Sequence, residues 1–171
     1  MAPYARMRDR DLARTDGLFV AEGEVVVRVL ASPRQTRFRV RSMLIEQRKV
    51  AAIADVVASL GDDVSAYVVP QSVMDDVVGF AIHRGILALA ERGLPRDPAA
   101  VLLGDDGLTF HGASVAVGLV GLTNHDNVGS VFRNAAAFGA RGVLLDAATC
   151  DPLYRKAIRV SVGGVTVVPF A

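Results

Sequence analysis

Apolar and polar positions change period three times between residues 114 and 146. Residues 114–122 form an apolar run without proline, the pattern of a buried strand. Residues 123–127 (T-N-H-D-N) are a cluster of turn and cap residues, in which Asp126 or Asn127 is placed to accept from the free N–H groups of a first helical turn. From Val128 the apolar residues fall at Val128, Val131, Phe132 and Ala135, the i, i+3, i+4, i+7 spacing of one helix face. Gly139 follows as a left-handed helix stop, and residues 141–146 make a second apolar strand that ends in the carboxylate of Asp146. A strand, helix and strand of these lengths predict a right-handed βαβ unit.

The same reading organises the amino-terminal half. Residues 17–23 predict a short strand with a glycine at each end, and residues 24–30 a helix with Val25, Val26, Val29 and Leu30 inward, stopped near Ser32 and Pro33. Residues 37–45 begin by alternating, with Phe38 and Val40 on one side and Arg37, Arg39 and Arg41 on the other. A helix over 50–60, a strand over 64–69, a helix over 71–78 with Ser72 as its cap, and a strand over 85–90 complete the series. Strand and helix alternating through residues 17–92 predict a compact α/β/α domain. Residues 4–14 are Arg-rich and read as a short surface helix or a mobile arm. In the carboxyl half, residues 153–161 read as a helix, Gly163 and Gly164 break it, and residues 165–168 read as a strand. Two prolines and a glycine within residues 93–98 mark a boundary, which divides the chain into residues 1–97 and 98–171.

Composition narrows the class. The chain has 171 residues, 51% hydrophobic and 22% charged, enough for one domain or two small ones. The net charge of +1 names no partner, but its distribution does. Residues 1–49 hold eleven Lys and Arg against six Asp and Glu, residues 50–126 three against ten, and residues 127–171 five against two. Basic ends around an acidic middle suit a protein that meets an anion with its ends; they also suit ordinary solvated faces. The single cysteine, Cys150, excludes an internal disulfide and a cysteine-based zinc site, and no His, Cys and carboxylate cluster calls for a metal. The first fourteen residues are charged with no apolar core, and no apolar run reaches membrane-spanning length, so a cytoplasmic location without a membrane partner is expected.

Candidate chemistry lies on the polar side of the 128–135 helix. Asn127, Ser130, Arg133 and Asn134 fall on the arc away from the apolar stripe. A helix that starts at the carboxyl end of a strand is where open α/β sheets receive ligands. Arg133 adds a planar cation suited to phosphate, and Gly129 allows backbone to approach closely. No Gly-Lys-Ser/Thr follows, so this is not a Walker loop, and G-x-G-x-x-G is absent. Arg37 and Arg39 offer a phosphate-contacting strand face. Arg155 and Arg159, four apart, share a helix face that can hold phosphates or complement the helix dipole. His83 stands alone beside a turn and is given no chemistry.

The string N-H-D-N-V-G-S-V-F-R-N-A-A-A-F-G-A-R-G-V-L-L resembles the first signature motif of the SpoU class of SPOUT RNA methyltransferases, and D-P-L-Y-R-K-A-I-R-V-S-V-G-G resembles the segment that follows it. F-V-A-E-G and G-F-A-I-H-R-G-I-L-A are similar to the substrate-binding domain found ahead of many such catalytic domains. The resemblance implies an α/β chain in which an amino-terminal α/β/α RNA-binding domain of ribosomal-protein type precedes the first half of an α/β-knot methyltransferase domain. It implies S-adenosylmethionine as cofactor, RNA (ribosomal RNA first) as substrate, a ribose 2′-hydroxyl as methyl acceptor and a homodimer as the working form. Arg133 and Asn127 match the catalytic positions. Arg133 would hold the adjacent phosphate and lower the hydroxyl's pKa, or accept its proton, and a guanidinium that stays protonated favours the first role. Arg14, Glu22, Arg37, Arg39, Arg155 and Arg159 are the RNA-binding candidates. The family's later Gly-Glu loop and its final Ser-Leu-Asn-Val-Ser segment have no counterpart here, which implies a carboxyl-truncated version of a longer protein or a record of only part of one, and leaves the donor-binding residues unassigned. Two rival readings are a non-catalytic RNA-binding protein and a nucleotide-binding α/β domain that uses the turn at 123–130.

Overall fold

The computed structural model describes Tyr4 and residues 17–33, 35, 37–78, 82, 84–103 and 114–171. Arg14, the rest of the 4–14 segment and His83 lie outside the described residues. The chain divides into two compact units, Met1–Gly93 and Leu94–Ala171.

In the first unit the elements run β1 (Leu18–Glu22), α1 (Glu24–Leu30), β2 (Val40–Glu46), a 3-10 turn at Gln47–Lys49, α2 (Val50–Ser59), β3 (Ser65–Val69), α3 (Gln71–Val78) and β4 (Ile86–Glu91). They make one four-stranded sheet in the order β1-β4-β2-β3. β4 is antiparallel to both β1 and β2, while β2 and β3 are parallel and therefore need the α2 crossover between them. Gly17 and Gly23 bracket β1 at φ 61° and 96°, which turns the chain in and out of the strand within one residue at each end.

Strand register sorts the core. Val20, Leu44, Leu87 and Leu89 share one face with Met74 of α3, Ile82 and Tyr4. The other face carries Phe19, Ala21, Met43, Ile45, Ile86 and Ala88, all buried, and α1 packs on β1 and β4. Residues 86–90 are buried without interruption, so both faces of the central strand are covered. Tyr4 is fully buried, with its hydroxyl 2.9 Å from Ser42 Oγ, and burial pushes the phenol's pKa upward.

Three local expectations need correction here. The inward face of α1 is Val26, Val27 and Leu30, and Val25 is 55% exposed. In E-V-V-V-R-V-L apolar residues surround the helix, so the polar pair sets its rotation. Arg28 takes Glu24 at 3.1 Å and clasps Asp55 of α2 at 2.6 Å, which turns that side outward. The strand expected from residue 37 begins at Val40, although Phe38 and Val40 are buried and Arg39 and Arg41 exposed as the alternation requires. Ser72 lies inside the first turn of α3, where Met74 N donates to Pro70 O instead.

In the second unit the elements are α4 (Pro98–Leu103), β5 (Ala116–Leu119), α5 (His125–Ala137), β6 (Gly142–Leu145), α6 (Arg155–Val160) and α7 (Gly164–Val167). β5 and β6 pair in parallel from Ala116↔Gly142 to Leu119↔Leu145 across α5, as a βαβ unit requires. The strand expected over 165–168 is helical instead. Gly163 at φ 83° starts a new turn, Val165 N donates to Ser161 Oγ, and Thr166 Oγ1 donates to Gly163 O. A short apolar run does not distinguish strand from buried helix. The extended segment comes one step later: Phe170 bridges Val143 in parallel, and Leu145 N donates to Ala171 O at 2.8 Å. The helix expected over 153–161 begins at Arg155, because Asp151 first closes a turn through Leu153 N and Tyr154 N.

Candidate functional site

The site forms where α5 leaves the carboxyl end of β5. Its cap is Asn124, a correction to Asp126 or Asn127. Asn124 has an extended backbone, and its Oδ1 accepts from Asp126 N at 2.8 Å and Asn127 N at 3.3 Å. The helix starts three residues before its first apolar position, so the earliest capping residue in T-N-H-D-N takes the role. Replacing Asn124 by alanine removes an acceptor shared by two amides. Urea unfolding is expected to show a loss of about 0.5–2 kcal/mol, while an unchanged midpoint would assign the cap elsewhere.

The buried face of α5 is Val128, Gly129, Phe132 and Ala135. Gly129 gives room to α6 and not to a ligand. A Cβ there would lie 2.6 Å from Ala157 O and 2.8 Å from Val160 Cβ. Phe132 stacks edge-on with Phe170 at 5.5 Å. On the opposite side Asn127, Arg133 and Asn134 are exposed and Ser130 is half-buried. Asn127 and Arg133, six residues apart, are separated by about 9 Å along the axis. Arg133 has no hydrogen-bond or ion-pair partner among the described residues. The start of α6 is tied to the start of α5: Lys156 Nζ meets Asp126 Oδ2 at 2.7 Å, and Tyr154 lies against His125 with ring centroids 4.1 Å apart.

The strand-end carboxylate is the hub of the neighbouring loops. Asp146 accepts from Gly121 N at 3.1 Å, from Thr149 N at 2.8 Å and from Thr149 Oγ1 at 2.6 Å. Leu122 N donates to Thr149 Oγ1, and Cys150 N to Leu122 O. The Thr149 hydroxyl first, then the Gly121 amide, holds the Asp146 carboxyl below the usual aspartate range. A depressed pKa contributes stability that is full above the unfolded value, about pH 4, and is lost as pH falls through the lower folded value. Asp146→Asn is therefore expected to flatten the acid limb of the stability profile relative to the parent chain. Parallel profiles below that pH would remove Asp146 from the account. Burial pushes the Cys150 thiol upward, with Asp151 adding to it.

The remaining sequence candidates are dispersed. Glu22 closes β1 and is buried. Arg37 lies with its guanidinium 5.1 Å from the Phe38 ring centroid, Arg39 pairs with Asp63, and Arg41 reaches Glu91 at 2.5 Å. The arginine side expected on β2 is thus engaged within its own unit. Arg155 and Arg159 are half-buried on α6. Asn124, Asp146 and Tyr154 were missed as site residues. The signals available for them were a cap-rich turn, a carboxylate at a strand end, and an aromatic in D-P-L-Y-R. Among the described residues no His, Cys and carboxylate group could hold a metal, and no helix is long and apolar enough to cross a membrane.

Residues 114–171 match the family model of the SpoU rRNA Methylase family. The chain is 37% identical over 165 residues to the "Uncharacterized tRNA/rRNA methyltransferase" of Mycobacterium bovis, covering 96% of this chain and 52% of that protein. It thus spans about half the length of the curated relatives it matches. In fold it is similar to the SpoU methyltransferase AviRb from Streptomyces viridochromogenes, solved in complex with the cofactor AdoMet, at 19% identity and a TM-score of 0.73 over 99% of this chain and 60% of that one. It is also similar to an RNA 2′-O ribose methyltransferase, at 21% identity and a TM-score of 0.66 over 94% and 57% of the two chains. These likenesses show a mixed α/β fold of the SpoU methyltransferase kind. The segment built around the capped α5 helix is therefore the part of the chain that matches the SpoU rRNA Methylase family model.

Proposed function

We propose that this sequence serves an S-adenosylmethionine-dependent RNA methyltransferase that acts on ribose 2′-hydroxyls, with ribosomal RNA as substrate. In this reading the first unit, of ribosomal-protein type, grips RNA. The second is the opening half of an α/β-knot domain, and the working form is a cytoplasmic homodimer. One observation carries the proposal. The family-matched helix presents Asn127 and Arg133 outward from the carboxyl end of a parallel strand, and Arg133 has no partner among the described residues.

S-adenosylmethionine supplies an electrophilic methyl group when bound. The loops at the strand ends, where an α/β sheet ordinarily takes its ligand, spend Gly121 N, Leu122 N and the Asp146 carboxylate on one another. The residues of this chain act on the RNA side. A 2′-hydroxyl must shed its proton as its oxygen becomes nucleophilic. Arg133, with its planar cationic fork, holds the adjoining phosphate and stabilises the developing negative charge. Asn127, in the first turn, orients that ribose or the arginine.

The test is transfer of labelled methyl from S-adenosylmethionine to ribosomal RNA, by this chain and by the longest product of its gene, followed by nuclease digestion. Label in 2′-O-methylnucleosides is the expected result. Label on a base overturns the ribose reading. RNA binding without transfer, and without calorimetric donor binding by either protein, leaves an RNA-binding module.

A further inference from the structure

At one end of the first unit's sheet β1 and β2 finish and β4 begins, and a polar cavity of 320 Å³ opens there, lined by Glu46, Arg48, Lys49, Gln71 and Gly85. That volume stands at the low end of small-ligand pockets, about 300–1,000 Å³. Its floor consists of acceptors. Glu46 is 4% exposed, and its Oε1 accepts from Arg48 Nε at 3.0 Å. A carboxylate has about four acceptor sites, so capacity remains for further donors. Gln71 spends its amide nitrogen on Asp75 Oδ1 at 2.8 Å and Ile82 O at 2.9 Å, which leaves its oxygen as a second acceptor.

The rim is cationic: Arg48 and Lys49 line it and are exposed, and Arg84, next in sequence to the lining Gly85, is exposed and has no ion-pair partner among the described residues. The backbone beneath is restricted to glycine. At Gly85, φ 67°, a Cβ would meet Lys49 Cγ at 3.0 Å and Glu46 Cβ at 3.1 Å, and at Gly23, φ 96°, it would meet Arg84 Cδ at 2.8 Å. Burial pushes the Glu46 carboxyl up, but hydrogen bonds from Arg48 and the charges of Arg48 and Lys49 outweigh it, so the carboxyl titrates below its usual value.

We propose that this cavity takes one guanine base of single-stranded RNA, its N1–H and N2 amino group donating to Glu46 while Arg48, Lys49 and Arg84 hold the flanking phosphates. The assignment rests on the RNA-binding reading above. Guanine alone among the four bases presents two adjacent in-plane donors that match a carboxylate. Uracil sets its single N–H between two carbonyls, which the carboxylate repels. Sequence-specific RNA recognition ordinarily works this way, on splayed single-stranded bases.

The test uses the full chain and short labelled oligouridines carrying one central G, A, C or U, read by fluorescence anisotropy. The G-containing strand is expected to bind about tenfold more tightly than the all-U strand. Glu46→Gln should erase that preference, the G-containing and all-U strands then binding alike. Lys49→Gln should weaken all four strands alike and lower the salt slope. On the parent chain, amide shifts induced by the G-containing strand should centre on Glu46, Arg48, Lys49 and Gln71. Binding without base preference, or a preference that survives Glu46→Gln, overturns the pocket and leaves the RNA reading standing. Failure of every strand to bind overturns both. Guanosine monophosphate binding as tightly as the G-containing strand makes this a mononucleotide site and overturns its assignment to RNA.

Discussion

Replacing Arg133 by alanine is expected to lower methyl transfer to RNA by about 10²–10³-fold, the scale of losing one preorganised charge-stabilising group, with RNA affinity largely kept. Arg133 is exposed and has no partner among the described residues, so the variant should unfold within about 0.5 kcal/mol of the parent. An exposed guanidinium is available for an external anion. Arg133→Lys keeps the charge and loses the planar fork, so its rate should fall between the two. Single-turnover transfer and separate binding titrations distinguish the roles. Equal loss of rate and affinity would make Arg133 a phosphate grip only, and unchanged transfer would remove it from the chemistry altogether.

The largest structural effect is expected at Gly129. Alanine is favoured over glycine in a helix interior by about 1 kcal/mol, so a propensity argument alone predicts stabilisation. The packing argues the reverse. The new methyl would sit 2.6 Å from the Ala157 carbonyl oxygen, a backbone atom that cannot rotate away, and 2.8 Å from Val160 Cβ. α6 must then move off α5, and overpacking of this kind costs about 1–3 kcal/mol. That shift would also loosen the Lys156–Asp126 pair and the His125–Tyr154 contact at the head of α5. Urea unfolding should show net destabilisation and quenching of Tyr154 fluorescence should rise. A stabilised variant would mean that α6 yields without cost.

What was legible in the sequence follows from how many independent signals each element carried. α5 had an apolar stripe, a polar arc and a glycine stop, and its span was readable from them. Its cap was not, because T-N-H-D-N offers several capping residues and the choice depends on where the chain leaves β5. In α1 an almost wholly apolar sequence hid the inward face until the Arg28–Asp55 contact with another helix fixed it. In α7 four residues were too few for any period to show. For the site, the outward positions of Asn127 and Arg133 followed from helical spacing. The arginines near β2 alternated as read, but spacing says nothing about Asp63 and Glu91, which occupy Arg39 and Arg41. The cavity at Glu46 was invisible for a related reason: its lining comes from the 3-10 turn, α3 and the start of β4, which only the sheet order brings together.

Asp146 has a bearing on motion. Gly121 N and Thr149 N, on loops that follow different strands, share its carboxylate. Both amides donate to one carboxylate, so protonation of Asp146 weakens both bonds at once. The protection of the two amides against exchange should therefore fall together as Asp146 is protonated in acid. The chain from Gly121 to the Asn124 cap is only three residues long. The heading of the first turn of α5, and of Asn127 on it, is thereby set from the far end of β6 as a single rigid corner.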